Sequence, residues 1–332
     1  MPLVPMKQIL DEAIKGGYGV GAFNVNNMEQ IQAIMEAARR TKSPVIVQAS
    51  RGALKYSNLI YLKYLMVAAA EENPDIPIAM HLDHGNGLEV VKQAIDLGFT
   101  SVMIDGSLLE DGKTPSTYEY NVEITRKVVE YAHKFGVTVE GELGTLGGIE
   151  DGVGSGKIHL TDPEQAEEFI KATGVDALAV AIGTSHGAYK FKGEPKLAIE
   201  IVKEINRRCP NVPLVMHGSS SVPQELVEIV NKYGGKMPNA KGVPIESIQE
   251  AIKYGVRKIN VDTDSRIAIT GAIRKVFFEE PEKFDPRDYL KPAREAMAKV
   301  VESRMIAFGS AGHAYDYKPM TLEDMKKIYG VA

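Results

Sequence analysis

The stretch over residues 76–105, IPIAMHLDHGNGLEVVKQAIDLGFTSVMID, contains the pattern that decides the fold. Its first part, 76–83, is an apolar run that predicts a buried strand, and 88–97 has the apolar spacing of an amphipathic helix with a glycine at each border. The run 101–105 predicts the next strand. Together these segments form a strand–helix–strand unit, which is the building block of a parallel sheet.

The same alternation of short apolar runs and longer helical segments continues along the chain. Polar, glycine-rich sequence follows nearly every predicted strand, and this is the end of a barrel strand at which functional residues gather. The pattern therefore predicts an α/β fold, a (β/α)8 barrel, over its main alternative, a doubly wound open sheet. The predicted strands are residues 19–25, 44–49, 76–83, 101–105, 137–143, 177–182, 212–216 and 256–261, and helical spacing is clear at 28–41, 88–97, 116–135 and 195–207.

The chain shows no composition break of the kind that marks an interdomain linker. Residues 1–332 are therefore predicted to form a single barrel domain. Two additions to the barrel are expected. Residues 234–244 form a Gly/Pro/Lys-rich insertion before the eighth strand, and the sequence from about residue 285 onward predicts a helical C-terminal extension.

The charge and the cysteine content narrow the class of protein. The 332 residues have a formal net charge of −5, which offers no basic face to a nucleic acid, and one cysteine, which excludes an internal disulfide. The N-terminus lacks the features of a signal peptide, and no apolar run approaches the roughly 18–20 residues that span a bilayer. We therefore expect a cytoplasmic protein without nucleic-acid or membrane partners.

Three of the seven histidines end a predicted strand and are followed at once by glycine: His84, His186 and His217. A closed barrel would bring all three to one mouth. Three imidazoles without a fourth protein ligand are typical of a catalytic zinc, which keeps one position open for water or substrate. A structural zinc is the weaker alternative, because such sites are usually closed by four ligands and favour cysteine.

Acidic residues accompany these histidines. Asp83 precedes His84 and is predicted either to orient a metal ligand or, preferably, to act as a general acid/base. Asp105, Glu140 and Glu142 also stand at strand ends and could offer a second or shifted metal position. The remaining histidines are expected to be an inward-facing polar residue, His81, and surface or packing residues, His133, His159 and His313.

Glycine-bearing loops follow the last three predicted strands, at residues 185–190, 217–221 and 260–265. Late loops of a barrel commonly bind phosphate through backbone N–H groups and hydroxyls, with Lys190 and Arg266 adding positive charge here. A further glycine-rich stretch, 144–156, is read either as a disordered surface loop or as a lid that carries Glu150 over the site.

Several ordered motifs resemble the class II fructose-bisphosphate aldolases. The resemblance runs from about residue 5 to 329, and the insertion at 234–244 resembles the second subgroup of that family. The motifs include Gly21-Ala22-Phe23-Asn24-Val25-Asn26-Asn27, Asp83-His84-Gly85, Glu140-Gly141-Glu142-Leu143-Gly144, Gly183-Thr184-Ser185-His186-Gly187, His217-Gly218-Ser219-Ser220 and Asn260-Val261-Asp262-Thr263-Asp264.

The resemblance implies a lyase of glycolysis or gluconeogenesis that cleaves fructose 1,6-bisphosphate reversibly into two triose phosphates. It implies that the three histidines bind a catalytic Zn²⁺, and that Asp105 and Glu142 can hold a second or displaced metal. Asp83 would be the acid/base at the C4 oxygen, and Glu150 would shuttle the C1-side proton of dihydroxyacetone phosphate. Some relatives carry two successive acids in this lid, but the first is Ile149 here.

The resemblance also assigns the substrate contacts and partners. It implies a homodimer or homotetramer, with a monovalent cation, Na⁺ or K⁺, beside the ketose phosphate. That phosphate is assigned to Gly187, Gly218, Ser220 and Thr263, with Lys190 close by. The sugar hydroxyls are assigned to Asn260 and Asp262, and the far phosphate to Asn24, Ser50 and Arg266. The resemblance allows a partner subunit to supply Arg266.

Three alternatives remain at this stage. A sister aldolase acting on tagatose 1,6-bisphosphate differs at one stereocentre of the substrate. A metal-dependent hydrolase would use zinc to activate water, and it usually lacks a phosphate cradle. A non-catalytic barrel with a structural zinc would have a closed metal shell.

Overall fold

Eight parallel strands close into a barrel in the computed structural model, which describes residues 3–146, 158–189 and 196–331. Each strand pairs with its neighbours in sequence order, and the first pairs with the last, with Val20 opposite Lys258. This closure confirms the (β/α)8 barrel and excludes the open sheet. The strands are β1 Val20–Asn24, β2 Val45–Ser50, β3 Ile78–Gly85, β4 Ser101–Ile104, β5 Thr138–Leu143, β6 Ala177–Val180, β7 Leu214–Met216 and β8 Val256–Val261.

Apart from the first helix, which precedes β1, the helices follow the strands and lie on the outside of the barrel. Within the described ranges, none of them is both long and apolar enough to cross a lipid bilayer. They are α1 Met6–Gly16, α2 Met28–Thr41, α3 Arg51–Ser57, α4 Leu59–Glu72, α5 Leu88–Asp96, α6 Tyr118–His133, α7 Pro163–Thr173, α8 Ile199–Arg208, α9 Gln224–Lys232, α10 Ile245–Tyr254, α11 Thr263–Glu279, α12 Pro286–Phe308 and α13 Leu322–Tyr329.

The helix boundaries follow local sequence signals. At α7, the Asp162 side chain accepts the N–H groups of residues 164 and 165, Pro163 occupies the first helical position, and Gly174 ends the helix with a φ of +72°. The helix predicted at 195–207 begins later, at Ile199, and Pro195 itself lies outside the described residues. The predicted helical C-terminal extension is confirmed as α12 and α13.

The amino-terminal end of the barrel is closed by α1. Its buried side chains, including Met6 and Ile9, belong to one apolar cluster with inward-facing alanines such as Ala22 and Ala79. Alanine leaves space in the barrel interior, and the larger α1 side chains fill it. The interior is therefore packed at this end, and the carboxyl ends of the strands remain for a functional site.

The helix α12 is tied to the loop after β7 by a buried ion pair. Arg304 Nε lies 2.9 Å from Asp264 Oδ2. The same carboxylate accepts the backbone N–H groups of Ser221, at 3.2 Å, and Val222, at 2.8 Å. The C-terminal extension thus stabilises a loop at the functional end of the barrel.

Candidate metal centre

The three strand-end histidines meet at the carboxyl end of the barrel. His84 is the penultimate residue of β3, where its φ of +51° interrupts the extended backbone, and His186 and His217 lie beyond the ends of β6 and β7. The ring of His84 lies 5.1 Å from that of His186 and 4.8 Å from that of His217, measured between centroids. The predicted convergence of the three rings is therefore present.

The tautomer of His217 follows from its neighbour on β5. Glu140 Oε1 lies 2.7 Å from His217 Nε2, and an ionised carboxylate only accepts hydrogen bonds, so Nε2 carries the proton. The lone pair is then on Nδ1, which lies 3.1 Å from His84 Nε2. Burial, and then the positive charge of His84, hold the pKa of His217 well below its ordinary value. The ring is therefore neutral, as a metal ligand must be.

Carboxylates surround His84 on two sides. Asp83 Oδ1 lies 4.0 Å from His84 Nε2, and Asp105 Oδ2 lies 3.8 Å from His84 Nδ1. Two sets of three residues could each hold a metal ion, because the ligand atoms within each set lie within 4.8 Å of one another. The first set is Asp83, His84 and His217, and the second is His84, Asp105 and Glu142. Among the described residues, His186 belongs to neither set, although its ring faces His84.

Two buried atoms of this cluster, His84 Nδ1 and Glu142 Oε2, form no hydrogen bond with any described residue. Buried polar atoms are nearly always hydrogen-bonded, so an orphan in a set of imidazoles and carboxylates points to a cation as its partner. The donor set therefore fits a divalent metal.

The electrostatics of the cluster also favour a cation. Burial alone would lower the pKa of His84, but the neighbouring carboxylates, Asp83 first, raise it to about 10. Burial, followed by repulsion from Asp105, raises the pKa of Glu142 well above its ordinary value. A positive charge at this position is thus stabilised by the surrounding acids.

Asp83 is held by amide donors. Asn24 Nδ2 and Gln48 Nε2 donate to Oδ2 at 3.0 and 3.3 Å, and Asn260 Nδ2 lies 3.3 Å from Oδ1. Burial alone would raise the pKa of Asp83, but the charges of His84 and its neighbours lower it below its ordinary value. The carboxylate is therefore ionised and oriented, and it can accept a proton from a bound hydroxyl.

The sequence patterns did not single out two residues of this network. Gln48 is buried on β2 and donates to Asn24 Oδ1 at 2.6 Å. Lys258 is fully buried on β8 and lies 2.9 Å from Glu140 Oε2. The alternation of side chains along a strand could have identified them, because residues two apart face the same side of the sheet. Gln48 is two residues before Ser50, and Lys258 is two residues before Asn260.

The loops after β6, β7 and β8 adjoin one another as predicted. Gly218 has a φ of +59°, and a Cβ there would lie 2.6 Å from the carbonyl oxygen of Ser185. Ser220 Oγ accepts the backbone N–H of Asp262 at 3.2 Å, and Thr263 begins α11 beside it. Backbone N–H groups at a helix start attract anions, so this junction suits a phosphate. Lys190 and Glu150 lie outside the described residues.

The insertion at 234–244 packs against these loops. Lys241 N donates to the carbonyl oxygen of Ala188 at 2.9 Å, and Val243 N donates to that of Ser220 at 3.0 Å. It lies before β8 as predicted, and a further helix, α10, separates the two. The insertion therefore supports two of the three glycine-bearing loops.

The other predicted site residues lie around the same mouth. Arg266 forms an ion pair with Asp262 of its own chain, with an Nε–Oδ1 distance of 2.9 Å. Gly187 follows His186 with a φ of +82°. Ser50 ends β2, and its hydroxyl accepts the N–H of Ala53 at the start of α3.

The histidines predicted to be structural lie outside the cluster or beneath it. His81 is fully buried, and its Nδ1 is 2.7 Å from Ser101 Oγ, which confirms an inward-facing polar residue. His133 pairs with Asp176 and stacks on Tyr329. His159 is exposed, and His313 pairs with Asp316.

Comparison with known proteins decides the family. The family model described as class II fructose-bisphosphate aldolase matches residues 4–313 of the chain. The chain belongs to this family. The aldolase is 62% identical over 331 residues to a fructose-bisphosphate aldolase from Giardia intestinalis, with 99% of this chain and 100% of that protein covered. A fructose-bisphosphate aldolase from Pseudomonas aeruginosa is 55% identical, with 99% and 97% covered.

The fold comparison agrees with this assignment. The YdjI aldolase from Escherichia coli K12 superposes with a TM-score of 0.76 at 29% sequence identity, with 94% of this aldolase and 99% of that chain covered. Membership of the family makes the chain a lyase that uses a divalent metal and acts on a phosphorylated sugar. The hydrolase and the non-catalytic barrel considered from the sequence are therefore excluded.

The close approach at Gly218 predicts the result of adding one methyl group. In the aldolase, Gly218→Ala places a Cβ against the Ser185 carbonyl in a left-handed backbone region that L residues avoid. Strain of about 1–3 kcal/mol is expected, and KM for the bisphosphate should rise about tenfold as the loops separate. Steady-state kinetics would measure this.

Gly17→Ala is the matched control, because Gly17 has a φ of +71° and a Cβ there meets nothing within 4 Å. It should carry the backbone strain without any change in KM. Equal KM values for wild type and Gly218→Ala would show that the meeting of these loops does not shape the phosphate site.

Proposed function

We propose that this aldolase cleaves fructose 1,6-bisphosphate reversibly into dihydroxyacetone phosphate and glyceraldehyde 3-phosphate. The observation that carries the proposal is the convergence of His84, His217 and the ionised Asp83 in one mouth, beside the junction of the late loops. The names of the similar proteins from Giardia and Pseudomonas also favour fructose bisphosphate over its tagatose epimer.

The metal of this site is proposed to be Zn²⁺, held by His84, His186 and His217. Imidazole nitrogens suit zinc, and a three-histidine set leaves a position for substrate. Asp105 and Glu142, which share a ligand set with His84, are proposed to hold a second or displaced ion. When bound, the cation supplies Lewis-acid stabilisation of the negative charge that develops next to the substrate carbonyl.

Asp83 is proposed to move the proton at the C4 oxygen. In cleavage it accepts the C4 hydroxyl proton, the C3–C4 bond breaks, and the bond's electron pair stays on the ketose fragment. In condensation Asp83 returns that proton. The amides of Asn24, Gln48 and Asn260 orient both carboxylate oxygens for this role. Glu150, outside the described residues, is proposed to shuttle the C1-side proton of dihydroxyacetone phosphate.

The two phosphates are proposed to hold the reacting carbons in register. A monovalent cation, Na⁺ or K⁺, is proposed beside the ketose phosphate. That phosphate is assigned to Gly187, Lys190, Gly218, Ser220 and Thr263, the hydroxyls to Asn260 and Asp262, and the far phosphate to Asn24, Ser50 and Arg266.

The chain is proposed to form one domain over residues 1–332 and to assemble as a homodimer or homotetramer. The long helix α12 packs on α2 and α11 of the same barrel, which supports a single folding unit. Size-exclusion chromatography with light scattering would determine the number of subunits.

Substrate choice is tested by offering fructose 1,6-bisphosphate and tagatose 1,6-bisphosphate separately to metal-replete protein. Triose phosphate release is followed with coupled dehydrogenases. We expect kcat/KM for the fructose epimer to exceed that for the tagatose epimer by about 10-fold or more, because a misplaced hydroxyl loses at least one hydrogen bond. A preference for tagatose bisphosphate would contradict the proposal.

A further inference from the structure

The interior of the barrel contains a cation that the proposed function does not use. Lys258 is fully buried on β8, below the mouth, and its ammonium contacts two polar side chains. Nζ lies 2.9 Å from Glu140 Oε2 and donates to Asn260 Oδ1 at 2.8 Å. A buried lysine is uncommon and needs compensation by partners of this kind.

We propose that Lys258 is a positioning residue that fixes a metal ligand and a substrate ligand at once. Through Glu140 it sets the tautomer of His217, and through Oδ1 it sets the direction of the Asn260 amide. The inference rests on the proposed function in so far as His217 and Asn260 act on metal and substrate.

The first link runs from Lys258 to His217. The ammonium holds one oxygen of Glu140, so the other oxygen, Oε1, is directed at His217 Nε2 at 2.7 Å. The proton stays on Nε2, and the Nδ1 lone pair faces His84. Partners behind a metal-bound histidine typically contribute 10- to 100-fold to metal affinity or activity.

The second link runs from Lys258 to Asn260. An ammonium donates hydrogen bonds and accepts none, so the Asn260 amide must turn its oxygen toward Lys258. Its NH₂ group is then directed to Asp83 Oδ1, 3.3 Å away. Without Lys258 the amide could reverse and present its oxygen to a carboxylate, which would repel it. Lys258 therefore orients the amide that meets the acid/base residue.

The test compares Lys258→Met with the double variant Glu140→Gln/Lys258→Met. In Lys258→Met, Glu140 is left as a buried charge without its cation, so Tm should fall. Zn²⁺ affinity, measured on apo-protein by competition with a chromogenic chelator, should weaken about 10- to 100-fold. In the double variant Tm should recover, while KM for fructose 1,6-bisphosphate should stay raised about tenfold.

Arg208→Met is the control, because it removes the cation of a half-buried ion pair with Glu167, 2.8 Å away, between the outer helices α8 and α7. It should lower Tm without weakening Zn²⁺ binding.

A Lys258→Met protein with wild-type Zn²⁺ affinity and KM would overturn the proposal. So would a double variant that regains both Tm and kcat/KM, since Lys258 would then only balance charge. The double variant keeps the test available if Lys258→Met does not fold. Zn²⁺ binding is measured without substrate, so it judges the role of Lys258 even if fructose 1,6-bisphosphate is not cleaved.

Discussion

Asp83→Asn is expected to lower kcat for bisphosphate cleavage by about 10²- to 10⁴-fold, the range for losing a general acid/base. Asparagine keeps the shape of the side chain but cannot accept the C4 hydroxyl proton. In the wild type, both carboxylate oxygens accept hydrogen bonds from amide donors. In the variant, the NH₂ group would face such donors, either those of Asn24 and Gln48 or that of Asn260, and two donors cannot form a hydrogen bond. The measurement is steady-state cleavage at saturating substrate.

Metal content distinguishes this role from ligation. The ligand atoms of Asp83, His84 and His217 lie within 4.8 Å of one another, so Asp83 could serve as a metal ligand instead. We expect Asp83→Asn to retain one Zn²⁺ per chain by elemental analysis. Loss of the metal together with activity would contradict the acid/base role. Asp162→Asn is the control, because it changes an aspartate outside the site that caps α7, where asparagine serves equally well.

His84→Ala is expected to lose both the metal and activity, with kcat/KM reduced by about 10³-fold or more, since Lewis-acid stabilisation contributes several kcal/mol. His84 belongs to both sets of ligand atoms found in the described structure, so its removal leaves neither complete. Elemental analysis after dialysis, together with the cleavage assay, measures the two losses.

His313→Ala is the control for His84→Ala, because it removes a histidine outside the cluster that pairs with Asp316. It should retain metal and activity. A His84→Ala protein that keeps stoichiometric Zn²⁺ would show that this ring is not a ligand.

The barrel and the convergence of three of its histidines could be predicted from the sequence for one physical reason. Parallel strands joined by helices all end on the same side, so residues with equal positions relative to their strands become neighbours in space. His84, His186 and His217 each precede a glycine at or beyond the end of a strand, and the structure brings their rings together. No knowledge of strand register was needed for this prediction.

The buried polar contacts beneath the histidine cluster could not be predicted in the same way. The contact of Lys258 with Glu140 crosses the barrel interior from β8 to β5, and that of Gln48 with Asn24 depends on the register of β2 against β1. Register in a parallel barrel is set by packing of the strands and helices together, and no short turn encodes it. A polar residue inside an apolar strand therefore indicates a buried polar contact, but it does not identify the residue on the other strand that forms it.

The contacts of the insertion at residues 234–244 could not be predicted from the sequence either. The Gly/Pro/Lys-rich composition of residues 234–244 predicts a loop, but the contacts it makes lie far away in sequence. Its backbone binds the carbonyl groups of Ala188 and Ser220. Backbone hydrogen bonds carry no side-chain signature, so composition could not show that this segment supports the late loops.

The most direct test of a metal-dependent aldolase is cleavage of fructose 1,6-bisphosphate by the purified protein before chelation, after chelation, and after Zn²⁺ is added back. We predict triose phosphate release that falls to background with the chelator and returns with Zn²⁺. Cleavage that is indifferent to complete removal of the metal would contradict the account.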